Sequence, residues 1–424
     1  MTGPFARFLR IEAAAGGLLL CVTIIALALA NSPWSTQYLE LWETPIGLRW
    51  GQLDVTRSLL HWINDGLMTL FFFVIALELK RELVLGELRN PRAAALPFFA
   101  ALGGMLVPVV IYISILDGQP GVTGWGTVMA TDTAFVIGAL ALFGKAIPAS
   151  LRIFLVSLAV FDDVGAIMVV AIAYGDTVDL GALALAAGCL SIVYFMARIG
   201  IRSIPMFFIV GFAVWLSFDA SGLHATIAGV ILGLMTPARA WVGDERMRTL
   251  LGKATDHPRG EHWSGNTTER SDLQIAGRAI EEALSPLERL EIMLLPWVGF
   301  AIMPVFALAN AGVAFSGLTL NEPVLLAIFA GLVIGKPLGV LLFCWIAVRL
   351  RLAEIGAGLD WGFLAAGAML TGIGFTMSIF IADLAFVHTL IPAAKAGIFA
   401  ASAAAAIAGL LMLLRRVVRK PATI

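Results

Sequence analysis

Apolar residues along the chain fall in runs of about 20, the length that crosses the hydrocarbon core of a bilayer, and charged residues cluster between the runs. Twelve runs predict helical spans, at about 10–30, 59–83, 94–116, 123–144, 151–174, 180–198, 204–219, 222–236, 291–312, 324–348, 361–385 and 392–414. The seventh and eighth are short, and could also form one helical hairpin that spans only in part. The pattern predicts an all-α polytopic membrane protein of about 12 transmembrane helices, arranged as a single transmembrane domain over residues 1–424.

Composition narrows the class further. The chain is 60% hydrophobic and 13% charged, with a mean hydropathy of +0.93. A soluble domain is roughly 45–50% apolar and about 25% charged, so lipid is the remaining solvent. Cys21, Cys189 and Cys344 lie inside apolar runs and read as packing residues rather than a disulfide framework. Arg7 and Arg10 precede a run ending Ala28-Leu29-Ala30, which looks like a signal-peptidase site. Many later spans need no cleaved signal, so this run is read as an uncleaved helix.

The distribution of basic residues orients the spans. With the N-terminus in the cytoplasm, inside segments hold 24 of the 28 Lys and Arg residues. Only Arg49, Arg57 and Lys395 fall outside, and Lys336 lies within a span. A miscounted span would break this alternation, so both termini are expected to be cytoplasmic. The stretch 237–290, between spans eight and nine, is the one long polar insertion and is read as a cytoplasmic loop. Its later part, Ile275 to Glu291, has helical spacing and predicts a surface helix leading into span nine; a partly disordered tether is the competing reading.

A charge near the bilayer centre is costly, which makes intramembrane ionisable residues functional candidates. Asp162 and Asp163 are adjacent carboxylates near the middle of span five. Oxygen ligands suit hard cations, and the same oxygens take up protons. One pair can therefore hold either a cation or protons, and that competition is antiporter chemistry. The bland alternative is a helix cap or a static salt bridge.

Thr131-Asp132, mid-span in the fourth run, suggests a helix that stops and restarts, exposing backbone that can line an ion site. Asp132 could also offset the partial charge of a helix end. An unbroken helix with a polar face is the alternative. Lys336, in Gly335-Lys336-Pro337-Leu338-Gly339, is expected to pair with a carboxylate, or else to snorkel to the interface. Thr371-Gly372-Ile373-Gly374-Phe375-Thr376-Met377-Ser378 is a second candidate break, unless its glycines serve only close packing.

The second span carries Asn64, Asp65, Glu78 and Glu82. The two glutamates sit one turn apart near the cytoplasmic end, as a funnel mouth or an ordinary interfacial cluster. His224, at a span entrance, is read as a capping or packing residue. Paired interrupted helices, here in spans four and eleven, mark the midplane site of inverted-repeat transporters. Spans three to five and ten to twelve would be the related units.

These motifs, in this order, resemble the NhaA-type Na+/H+ antiporters over nearly the whole chain. Further markers are Trp62-Ile63-Asn64-Asp65, Glu78-Leu79-Lys80-Arg81-Glu82-Leu83, His224-Ala225-Thr226-Ile227-Ala228-Gly229 and Pro304 to Gly312. The resemblance implies a transporter rather than an enzyme: an electrogenic antiporter exporting Na+ or Li+ for external protons, in pH and sodium homeostasis. It implies a likeness in setting too: a bacterial inner membrane, a homodimer, no cofactor and no nucleic-acid partner.

By the same resemblance, Asp163 is the main cation and proton ligand, with Asp162 and Thr131 beside it. Lys336 pairs with Asp162, and Asp132 with Lys336 compensates the helix ends. Glu78, Glu82 and Glu291 belong to a cytoplasmic funnel that answers to pH. The sequence departs from the family in the length of 237–290. It also has Ile292 and Leu295 where some relatives have histidine, and an extra acid, Asp383. Rival readings are a sodium-coupled solute symporter, which needs a roomier cavity, a retinal-type pump built on Lys336, and a passive channel.

Overall fold

The computed structural model describes residues 3–47, 49–50, 53–54, 56–175, 179–201, 203–238, 284–314, 322–356 and 358–419. Helix α1 (Gly3–Ala30) is followed, after a 112° bend, by α2 (Ser35–Glu43). Helices α3 (Leu59–Val84) and α4 (Pro91–Ile115) come next. A 3₁₀ segment (Val122–Val128) then leads, across a break, to α5 (Thr133–Ala141). Helices α6 (Ala149–Ala173), α7 (Leu180–Ile199), α8 (Ile204–Ala220) and α9 (Thr226–Met235) complete the first half. The second half holds α10 (Pro286–Asn310), α11 (Pro323–Arg349), α12 (Trp361–Leu370), α13 (Phe375–Ala385) and α14 (Ile391–Arg419).

Among the described residues seven helices are long and apolar enough to cross a membrane, or nine if each of two bent pairs counts as one span. The remaining runs predicted as spans are occupied by shorter helices. The fourth is the broken segment ending in α5, and the seventh and eighth are separate helices, α8 and α9. The chain is an all-α polytopic membrane protein.

One element has no counterpart in the predicted spans. Strand β1 (Pro45–Ile46) pairs antiparallel with β4 (Arg57–Ser58), and β2 (Arg49–Trp50) with β3 (Leu53–Asp54), between α2 and α3. Of the surface helix predicted over 275–291, only the part from residue 284 is described. Ser285 caps a new helix beginning at Pro286, its hydroxyl accepting from the Glu288 N–H while the Glu288 carboxylate accepts from the Ser285 N–H. A Ser-Pro start of this kind favours a fresh helix over a continuous one. Residues 275–283, and most of the 237–290 insertion, lie outside the described residues.

Local sequence explains two irregular turns that shape the bundle. Pro304 and Pro337 have no N–H to give to a carbonyl four residues back. The ladder widens just before each, into π-helical turns at Val298–Ile302 and Gly331–Gly335. The second of these turns sits directly ahead of Lys336. Close contact between α4 and α11 carries that lysine into the interior. A methyl group on Gly103 would lie 2.2 Å from Gly339 O, and one on Gly339 would lie 2.1 Å from Gly103 O, so only glycine allows this approach.

Candidate functional site

The two broken helices meet at their breaks. The first break is residues 129–132, ahead of α5, and the second is 371–374, between α12 and α13. The Asp132 N–H donates to Ile373 O at 2.7 Å, and the Ser378 hydroxyl donates to Thr127 O at 2.7 Å. Backbone freed by one interruption is thus satisfied by the other, as a water-poor interior demands.

Asp132 stands where two half-helices begin. Its Oδ1 accepts from the Phe135 N–H at 3.3 Å, capping α5. Its Oδ2 accepts from the Thr376 N–H at 3.2 Å and from the Thr376 hydroxyl, at the start of α13. Each helix N-terminus carries a partial positive charge, and one carboxylate faces both. At the other side of the crossing, fully buried Lys336 donates from Nζ to Met129 O, where the 3₁₀ segment ends. A cation there meets the partial negative charge of that end.

The paired carboxylates of α6 have different surroundings. Consecutive helical residues point about 100° apart, so Asp162 and Asp163 cannot share one direction. Asp162 Oδ2 lies 3.1 Å from Lys336 Nζ and 2.6 Å from the Thr131 hydroxyl. That hydroxyl is also 3.1 Å from Thr371 O. Its single proton serves Asp162 when the carboxylate is ionised, and becomes free for Thr371 O when Asp162 is protonated. Asp162 Oδ1 is buried with no hydrogen-bond partner among the described residues. An acceptor left bare in this way marks a place for a water, an ion or a proton.

Asp163, also buried, lines a cavity of about 70 Å³ together with Glu78, Thr131, Asp132, Thr133 and Thr376. Asp162 does not line it. Space of this size holds a few waters or one partly hydrated small cation. Pockets for organic ligands run to roughly 300–1,000 Å³.

Glu78 joins this cavity, whereas Glu82 and Glu291 stand in a separate network. Arg81 bridges them, with Nη2 2.9 Å from Glu82 Oε1 and Nη1 3.4 Å from Glu291 Oε1. Lys80 Nζ donates to Leu234 O and Thr236 O at 2.7 Å each, capping the end of α9. Beyond them a surface depression of about 550 Å³ is bounded by Glu82, Leu85, Gly86, Arg89 and Asn90.

The remaining candidates lie elsewhere. His224 Nε2 is 2.6 Å from Tyr174 O and so donates to it, as a packing residue would. Asp383 pairs with Lys395 at 2.8 Å. Two participants had no role assigned from sequence: Thr376, whose signal was its place in the glycine-threonine motif, and the Met129 carbonyl, which has no side-chain signal.

The model of the family Na+/H+ antiporter 1 matches residues 6–413. The Na(+)/H(+) antiporter NhaA of Rhizobium meliloti (strain 1021) is 57% identical, over 97% of this chain and 94% of its own length. NhaA 2 of Acidiphilium cryptum (strain JF-5) is 56% identical, over 97% and 92%, and NhaA 2 of Vibrio vulnificus (strain CMCP6) is 51% identical, over the same shares. With a family model matching residues 6–413 and relatives 51–57% identical over 97% of its length, the chain belongs to the Na+/H+ antiporter 1 family.

Proposed function

We propose that this chain exports Na+ or Li+ across a bacterial inner membrane in exchange for external protons, at two protons per cation, in pH and sodium homeostasis. The observation that carries the reading is one buried carboxylate, Asp163, on a cavity of ion size. A second, Asp162, is held beside it by Thr131 and Lys336. The cavity size favours an ion over the organic solute of a symporter. The positive-inside distribution supports cytoplasmic termini, and the family resemblance supports a homodimer.

In this reading the site opens to the cytoplasm and loses its protons. The cation then binds Asp163 and Thr131, which line the cavity, while Asp162 beside them supplies the second negative charge. Lys336 holds Asp162 in place, and Asp132 with Lys336 keeps the crossed helix ends neutral enough to sit in the membrane. After reorientation the cation leaves, and both carboxylates take up protons from outside. Two positive charges enter for each one that leaves, so the cycle moves net charge and responds to membrane potential. Glu78 supplies a carboxylate between the site and the Glu82–Arg81–Glu291 network.

Competition fixes the pH dependence. A protonated aspartate is no cation ligand, so affinity for Na+ falls as pH falls, by about tenfold per pH unit for each proton displaced. The test is inside-out vesicles from a host lacking its own antiporters, with a dye reporting ΔpH. NaCl or LiCl should collapse a respiration-driven gradient, with an apparent KM for Na+ that rises steeply toward acid pH. In proteoliposomes with no pH gradient, an imposed membrane potential should drive Na+ movement by itself. A KM independent of pH would overturn the competition, and insensitivity to potential would overturn the two-for-one exchange.

A further inference from the structure

A second cluster of titratable side chains lies at the hairpin end of the bundle and has no part in the site described above. His61 and Asp65 are one turn apart on α3, Asp219 is near the end of α8, and Arg57 is on β4. His61 Nδ1 is 3.3 Å from Asp65 Oδ2, and its Nε2 is 3.2 Å from Asp219 Oδ1. Arg57 Nη2 is 3.2 Å from Asp219 Oδ2.

The chemistry of the imidazole gives this arrangement its meaning. A neutral ring has one N–H and can donate to one carboxylate only, whereas an imidazolium donates to both. The two carboxylates come from different helices, so charging His61 lets one ring donate to α3 and α8 at once and turns its contact with Asp219 into an ion pair. The surroundings make the bridge mechanically relevant. Trp62 to Leu67 form a π-helical turn, a form of helix that concentrates at functional places. Trp62 stacks on Trp215 of α8 at 5.5 Å between ring centres, and the Trp215 indole donates to Asp65 O at 3.3 Å. Asn64 in the same turn exchanges hydrogen bonds with Asn310 of α10 at 3.2 and 2.7 Å. The other titratable groups around the cluster are His224, just ahead of α9, and Glu40 and Glu43 on α2, which packs against Leu59–His61.

We propose that His61, clamped between Asp65 and Asp219, is a proton-operated latch on the outer face. When charged, it ties the second and seventh spans together and slows the exchange cycle. The placement on the outer face follows from the positive-inside reading, which puts the hairpin and Arg57 outside. The inference rests on the exchange reading, because transport rate is its readout.

The test is Na+ efflux from uniformly oriented proteoliposomes of the full chain, with inner pH fixed and outer pH varied. Wild type is compared with His61→Gln, which cannot be charged. The ratio of variant to wild-type rate should be near one at alkaline outer pH. It should climb roughly two- to fivefold as outer pH falls through the imidazole titration, the rate equivalent of one partly exposed ion-pair contact. Asp219→Asn leaves α3 intact, should give the same curve, and serves if His61→Gln does not fold. A ratio that is flat with outer pH, or that follows inner pH instead, overturns the latch while leaving the exchange reading in place. Absence of Na+-dependent proton movement in wild type overturns the exchange reading itself.

Discussion

Asp163→Asn removes exchange. Asparagine keeps the shape of the side chain, so the variant should fold and reach the membrane in wild-type amounts. It cannot release a proton or carry the negative charge that holds a cation in a water-poor cavity. Of the groups lining that cavity, Asp132 is committed to two helix N-termini, which leaves Asp163 and Glu78 as its acids. Na+-dependent dequenching in inside-out vesicles should fall at least a hundredfold, to the level of vesicles without the protein. Retention of more than a tenth of wild-type exchange would contradict the assignment of Asp163 as the cation ligand.

Lys336→Met should be the most damaging single change to stability. Methionine fills much the same space but, at alkaline pH where the site has lost its protons, leaves Asp162 buried, charged and without its cation, and leaves Met129 O without its donor. Breaking a buried ion pair by removing one partner costs about 3–5 kcal/mol. The deficit should shrink as pH falls, because a proton on Asp162 relieves it. The double variant Lys336→Met/Asp162→Asn carries no buried charge at this place and should regain most of the lost stability. Thermal unfolding of the three purified proteins at two pH values checks this. A double variant no more stable than the single one would mean that the lysine acts through packing rather than charge.

These expectations trace back to what the sequence makes visible. An aspartate or lysine in the middle of an apolar run is conspicuous because lipid gives it no partner, so Asp132, Asp162, Asp163 and Lys336 stand out before any fold is known. Thr131-Asp132 and the glycines at 372 and 374 announce broken helices because their preferences oppose a regular ladder. What pairs with what is another matter. Asp132 meets Thr376 across 244 positions, and His61 meets Asp219 across 158. No periodicity encodes such distances.

The divergence of Asp162 from Asp163 also needed the structure. A shared helix fixes only the angle between them, and the neighbours Lys336 and Thr131 decide which one faces the cavity. The hairpin over 45–58 escaped because strands of two residues carry almost no pattern. The start of α10 at Pro286 was legible in principle from Ser285 and Glu288, the residues of its capping box, and from Pro286 itself.

Binding of Na+ to the purified protein, titrated calorimetrically in two buffers of different ionisation enthalpy, tests the central claim most directly. The difference between buffers counts protons released per cation bound. The account predicts about two protons released near neutral pH, set by the two carboxylates that compete for proton and cation, with neither binding nor release in Asp163→Asn. Cation binding with no proton release would contradict it, because Na+ and H+ would then not share the site.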